Sequence, residues 1–520
     1  MHRRLEHWIA AASLSLMAPC TALAAAAPGL PSTNVAWLAA ASDADIEHAF
    51  AQARAQAKPV LLYWGATWCP PCNQLKATLF NRQDFAAQSK AFVAVHVDGD
   101  RPSAQKLGAR FKVGGYPTMI LFTTGGSEIT RLPGEADAPQ VMALLQAGLA
   151  GGRPIADVLA DARAGNLINA NEWRMLSFHS WEIDESGLVA RADRPAVLAE
   201  LAGKSQAQSD AEVTTRLWLK ALAASDDGKG VKPDAALRQR VQNVLADPAQ
   251  ARTHMDVLVG GASAIVKVLT NDDNAARARL ISQFDAALLR LQADGSLSRG
   301  DRVSALGERI DLARLGQPKE ATAPTLPGTL VQEVRDVSAR MDREITDRYE
   351  RMAVITAVAH IQGQAGLWTD SDALLKSNVA KSHAPYYLMS QLGGNARKLG
   401  KKAEALSWYQ QAYDKSQGPA TRLQWGASYV GALVELAPAD AVRIEKAATE
   451  ILADAAKDPG SFHDRSARAL QRVGKRLTTW NADGKHAASI KRLQAKLDGL
   501  CARVGAAEKA ACQALLQAKT

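Results

Sequence analysis

The chain has 520 residues, too many for one ordinary hydrophobic core, so about two to four domains are expected. It is 47% hydrophobic and 22% charged but only 5% aromatic, and this profile, rich in alanine, favours helices in a soluble globular protein. The formal net charge of +9 is small for this length, and the basic residues are interleaved with acidic ones, which argues against a nucleic-acid-binding role.

The N-terminus reads as a secretory signal. His2, Arg3 and Arg4 are basic, an apolar stretch follows from Trp8 to Ala18, and Ala22-Leu23-Ala24 supplies a small-x-small cleavage pattern near Ala24. No later segment is long and apolar enough to span a bilayer, so no membrane insertion is expected after cleavage. Met17-Ala18-Pro19 is a poor lipidation context, so Cys20 is expected to leave with the leader. Cys69, Cys72, Cys501 and Cys512 remain, as two local pairs in a chain expected to be periplasmic or secreted.

Residues 25–41 show little pattern and read as a loose lead-in. Ser42 caps a helix whose apolar face is Ile46, Ala49, Phe50 and Ala53, and Pro59 stops it. Val60 to Gly65 is a buried strand. It runs into Trp68-Cys69-Pro70-Pro71-Cys72 and an amphipathic helix that breaks near Asn81. This strand, turn and helix place Cys69 at a helix N-terminus, where unpaired N–H groups and the macrodipole favour a thiolate. Cys72 lies one turn on, within reach of a mixed disulfide at Cys69. A helical turn is expected over Asp84 to Ser89, a strand over Phe92 to Val97, and a helix ending near Phe111. Met119 to Phe122 and Glu128 to Arg131 then form a hairpin around Thr124-Gly125-Gly126-Ser127, and Asp137 to Ala150 closes the unit as a helix. The result is a compact α/β domain with a mixed sheet.

With WCPPC at the strand–helix junction and Tyr116-Pro117-Thr118 before the hairpin, residues 42–150 resemble a thioredoxin-fold domain. The wording is similar to that of exported bacterial domains, in particular the periplasmic reductase domain of the transmembrane disulfide reductant. The resemblance implies Cys69 and Cys72 as catalytic residues, a cis Pro117 facing them, and Trp68, Tyr116 and Pro117 as the substrate-docking lip. It also implies client proteins with disulfides, a membrane-bound reductant as electron source, and no cofactor. Two departures stand out. Tyr63 occupies the place of thioredoxin's buried Asp, which removes a carboxylate relay for the resolving cysteine. Pro70 removes an N–H that would stabilise the thiolate, which favours a reductase over a strong oxidase.

Gly151-Gly152-Arg153-Pro154 marks a boundary, after which the sequence is helical. The stretch from Gly316 to Gly328, with three prolines, marks a second, giving helical domains at 151–316 and 329–520. Leu392-Gly393, Gly400, Ala405, Tyr409 and Ala412 have the spacing of a tetratricopeptide (TPR) repeat. The pattern restarts at Trp425-Gly426 and Tyr429, and Gly366, Ala373 and Leu374 are a weaker echo upstream. The fold expected is therefore an α/β thioredoxin fold followed by a large all-α, TPR-like region.

Each motif has a plainer reading. Cys69 and Cys72 could form a purely structural disulfide or half a zinc site, but zinc would need a second CxxC or a His pair, which is absent, so no metal is assigned. Cys501 and Cys512 read first as a structural disulfide stapling a helix–turn–helix, with a second redox pair or a substrate of the first as alternatives. Three functions stay open. The first is an exported reductase of client disulfides whose helical region holds the client or a partner. The second is the same chemistry run as an oxidase or isomerase. The third is a helical-repeat assembly factor with a thioredoxin domain as redox switch.

Overall fold

The structure, a computed structural model, describes residues 35–517 apart from 135, 182–186, 209, 226–229 and 272. The segment read as a signal, the expected cleavage near Ala24 and Cys20 lie outside the described residues.

Five strands form one mixed sheet: β1 (Leu38–Ala40), β2 (Val60–Gly65), β3 (Val93–Asp98), β4 (Thr118–Phe122) and β5 (Glu128–Leu132), in the order β1-β3-β2-β4-β5. β1 and β2 run parallel to β3, while β4 runs antiparallel to both β2 and β5. β2 is central and buried along its whole length. That position accounts for its continuous apolar run, since a strand covered on both faces has no solvent side to mark with polar residues.

Five helices flank the sheet: α1 (Asp43–Gln56), α2 (Pro70–Thr78), α3 (Gln83–Gln88), α4 (Ala104–Arg110) and α5 (Ala138–Leu149). Ser42 and Asp45 form a reciprocal capping box at the start of α1, and Ile46, Ala49, Phe50 and Ala53 are its buried face, as the spacing predicts. The helix ends at Gln56, where Ala57 turns left-handed (φ 50°), two residues before Pro59. The loose lead-in needs correcting at one point: Leu38–Ala40 is an edge strand paired with Val95–Val97. Three residues carry no readable period, and their pairing is a tertiary choice.

The sheet has two different apolar faces. One packs Ile46 and Phe50 of α1 against Leu62, Trp64, Val95 and Ile120. The other holds an aromatic cluster in which Tyr63 stacks on His96 at 5.0 Å and meets Phe80 edge-on at 4.7 Å.

From Ile155 onward the described regular structure is entirely helical. One apolar core lies within 219–312, around Val241, Leu258, Phe284 and Leu288. A second runs from Val303 to Cys512 and also takes in Ala66, Trp68, Cys69 and Cys72. Some small residues of the proposed repeat pattern sit where helices meet, whereas Gly400 stands in a turn with open space beside it and Ala373 is exposed. A Cβ on Gly393 would stand 3.1 Å from the Tyr409 ring, and one on Gly426 would stand 2.7 Å from Ile451. Ala405 and Ala412 are fully buried. The dithiol turn is thus built by the α/β domain and closed over by the helical one.

Candidate functional site

Cys69 is the N-cap of α2, with Pro70 and Pro71 as its first two residues. Prolines suit the first turn of a helix because their φ is already helical and their missing N–H would be unpaired there anyway. The effect here is chemical as well. Of the first three backbone nitrogens of α2, only Cys72 keeps a hydrogen, and it donates to Cys69 Sγ at 3.1 Å. Cys69 and Cys72 are joined as a disulfide with Cα atoms 5.2 Å apart. Asn73 Nδ2 braces the turn by donating to the carbonyls of Thr67 (2.9 Å) and Cys69 (2.8 Å).

The Tyr116-Pro117 peptide is cis. In the antiparallel register Trp64 faces Thr118, so Pro117 lies at the end of the sheet where β2 feeds the cysteine turn. The Trp68 and Tyr116 rings lie 6.2 Å apart. Tyr116 is anchored at its hydroxyl, which accepts from Gln105 Nε2 at 2.9 Å. Cys69, Cys72, Trp68, Tyr116 and Pro117 are therefore gathered at one end of the sheet. Tyr63 is fully buried, its hydroxyl has no hydrogen-bond partner among the described residues, and burial holds its proton on far above the ordinary range.

What the sequence does not reveal is the cover. Trp68 packs edge-on against Trp425 at 4.9 Å and stacks on Tyr387 at 5.9 Å. Arg465 places its guanidinium 4.3 Å over the Trp68 ring and 4.8 Å over Tyr116. His383 Nε2–H donates to the Thr67 carbonyl at 3.1 Å. Helix Arg348–Gln364 packs along α2, where the Lys76 ammonium sits 5.4 Å over the Tyr349 ring and burial pulls its pKa down to about 8. Cys69 is left 2% exposed and Cys72 0%.

Asp100 ties the two parts together. Its carboxylate accepts from Trp68 Nε1 (2.9 Å), from the Thr421 backbone N–H (2.9 Å) and from the Thr421 hydroxyl (2.5 Å). Burial, and secondarily the charge of Asp98, pushes its pKa up to about 6. Ser103 N–H and the Arg465 N–H make further crossings, to Asp458 (2.8 Å) and Gln105 (3.1 Å). These residues lie more than 300 positions apart, and no local pattern connects them.

Cys501 and Cys512 are also joined, across the turn between helices Ala487–Cys501 and Ala506–Gln513. Among the described residues no group of three or more His, Cys, Asp or Glu side chains is placed to hold a metal ion, and no helix is long and apolar enough to cross a membrane.

Residues 46–149 match the family model for the thioredoxin-like domain. This segment is a thioredoxin-like domain. It is similar to thiol:disulfide interchange protein DsbD 1 of Pseudomonas aeruginosa, with 32% identity over 114 residues, which is 21% of this chain and 19% of that protein. The DsbD of Pseudomonas fluorescens is 34% identical over 101 residues, 19% of this chain and 17% of the relative. The DsbD of Klebsiella pneumoniae is 30% identical over 149 residues, 28% of this chain and 25% of the relative. The chain thus spans only about a sixth to a quarter of the length of these curated relatives.

Proposed function

We propose that the chain is an exported thiol–disulfide oxidoreductase that reduces client disulfides through Cys69 and Cys72. The observation that carries this reading is the Cys72 N–H aimed at Cys69 Sγ at the N-terminus of α2, within a domain similar to thiol:disulfide interchange proteins. In the reduced form, Cys69 thiolate attacks one sulfur of a client disulfide. A Cys69–client bond forms as the client S–S bond breaks, and the other client sulfur leaves as a thiolate. Cys72 thiolate then attacks Cys69 Sγ, giving the Cys69–Cys72 disulfide and a client dithiol. Two electrons pass to the client, whose thiolates take up protons. A dithiol donor must then return two electrons. The membrane-bound reductant suggested by the DsbD likeness is the source we assign.

Trp68, Tyr116 and Pro117 are the residues we assign to client docking, supported by their position beside the dithiol turn. We divide the chain at 42–150, 151–316 and 329–520 and read the last part as TPR-like, supported by the small-residue contacts at Gly393 and Gly426. We assign Cys501–Cys512 as a structural staple.

A second reading is favoured by the burial of the dithiol: the thioredoxin-like domain acts as a redox switch that holds or releases the helical region. Insulin reduction by the full chain separates the two. Under the first reading the wild type reduces insulin, Cys69→Ser does not, and Cys72→Ala accumulates a dithiothreitol-sensitive adduct with its client. A Cys69→Ser chain that still reduces insulin sinks the scheme. Equilibration with glutathione fixes the direction: a potential near roughly −270 mV supports reduction, and one near roughly −120 mV supports oxidation.

A further inference from the structure

Helix Asp464–Trp480 carries an unusual distribution of charge. Its buried side is Ala469, Leu470, Val473, Leu477 and Trp480. Its other side presents Arg465, Arg468, Arg472 and Arg476, spaced three or four residues apart, with Lys475 beside Arg476, so they form one stripe. The stripe begins at the dithiol lip, where Arg465 covers Trp68 and Tyr116. From Arg465 to Arg476 the helix rises by about 16 Å.

At the far end, Arg472, Lys475 and Arg476 line a groove of about 590 Å³ together with Tyr409, Ser428 and Gly431. Two neighbouring cations are neutralised: Arg397 pairs with Glu435 at 3.1 Å, and Arg468 with Asp464 at 2.6 Å. Arg472, Lys475 and Arg476 have no carboxylate partner among the described residues, and all three are exposed. Although Arg472 reaches solvent, the protein crowded around it and the charges of Arg465 and Arg468 hold its guanidinium below the usual range. Like charges at helical neighbour spacing are destabilising, so three uncompensated cations at one groove need another reason to be there.

We propose that this stripe and groove dock an acidic, extended segment of a client polypeptide. Charge complementarity carries the choice of occupant. A nucleic acid would call for a longer run of cations and a stacking platform, whereas Tyr409 is the single aromatic ring lining the groove. A membrane surface is flat, and the cations stand in a concavity. The delivery of this segment to Cys69 rests on the oxidoreductase reading above, but the docking does not.

The test is fluorescence anisotropy on the full chain. The probe is a short fluorescein-labelled peptide of alternating Glu and Ser, and a Gln–Ser peptide is the control. The acidic peptide should bind and the control should not. Affinity should fall at least about tenfold in Arg472→Glu/Arg476→Glu and by a smaller factor in the milder Arg472→Gln/Arg476→Gln. High salt should weaken binding as well. Binding retained in Cys69→Ser establishes the docking surface even if the redox scheme fails. Equal binding of the Gln–Ser peptide, or unchanged affinity in both double variants, overturns the proposal. So does tighter binding of a single-stranded oligonucleotide or of phosphatidylglycerol vesicles at the same residues.

Discussion

The two disulfides are buried alike, with Cys69 and Cys501 each 2% exposed and Cys72 and Cys512 each 0%. They differ in which end of a helix they occupy. Cys69 caps the start of α2 and receives an N–H from Cys72, while Cys501 is the last residue of its helix and Cys512 lies in the last turn of its own. The N-terminal end favours a thiolate, and the C-terminal end, with its unpaired carbonyls, disfavours one. Burial alone therefore does not separate the pair proposed to exchange from the pair proposed as a staple, whereas position on the helix dipole sets them apart. The second difference is the neighbourhood. Charged and aromatic groups from both domains converge on Trp68, beside the first pair.

Exchanging the cysteines for serine in each pair should break this comparison most visibly. Cys69→Ser should lower insulin reduction by at least about a thousandfold, with little change in melting temperature. Cys501→Ser/Cys512→Ser should leave reduction within a few-fold and cost about 3 kcal/mol of stability in denaturant unfolding, the closure entropy of a short loop. A double variant that loses activity while remaining folded would move the second pair out of the structural role.

The cover over the first pair can be loosened without touching sulfur. Trp425→Ala removes the ring packed edge-on against Trp68, at a cost of about 3–5 kcal/mol if the site stays buried. In the reduced protein, iodoacetamide should then alkylate Cys69 about tenfold faster than in the wild type, measured by mass spectrometry under native conditions. An unchanged rate would show that Trp425 does not control access.

The smallest effect tests the helix terminus itself. Pro71→Ala returns an N–H to the first turn of α2, beside the sulfur that now receives the Cys72 hydrogen. A hydrogen bond to a charged acceptor contributes about 1.5–3 kcal/mol at best, and this one forms in a turn already partly satisfied. Alkylation of Cys69 at neutral pH should rise by roughly threefold. A slower rate would mean that the proline ring, not the missing hydrogen, sets the reactivity of the turn.

Elements whose causes are local are legible in the chain itself. The N-cap at Ser42, the central strand Val60–Gly65, the cysteine turn and the Gly125-Gly126 hairpin all follow from patterns a few residues long. The same holds for the spacing of Cys501 and Cys512. The rest depends on contacts between distant segments. Leu38–Ala40 becomes a strand because β3 offers it an edge. Asp100 looks like a turn residue until Thr421 closes on it. Trp425 reads as a repeat residue, and nothing in the local sequence singles out Arg465, yet both cover Trp68. Interactions between groups hundreds of residues apart leave no periodicity or spacing behind. They arise when two apolar surfaces meet and bury the polar groups between them, and here that meeting encloses the dithiol.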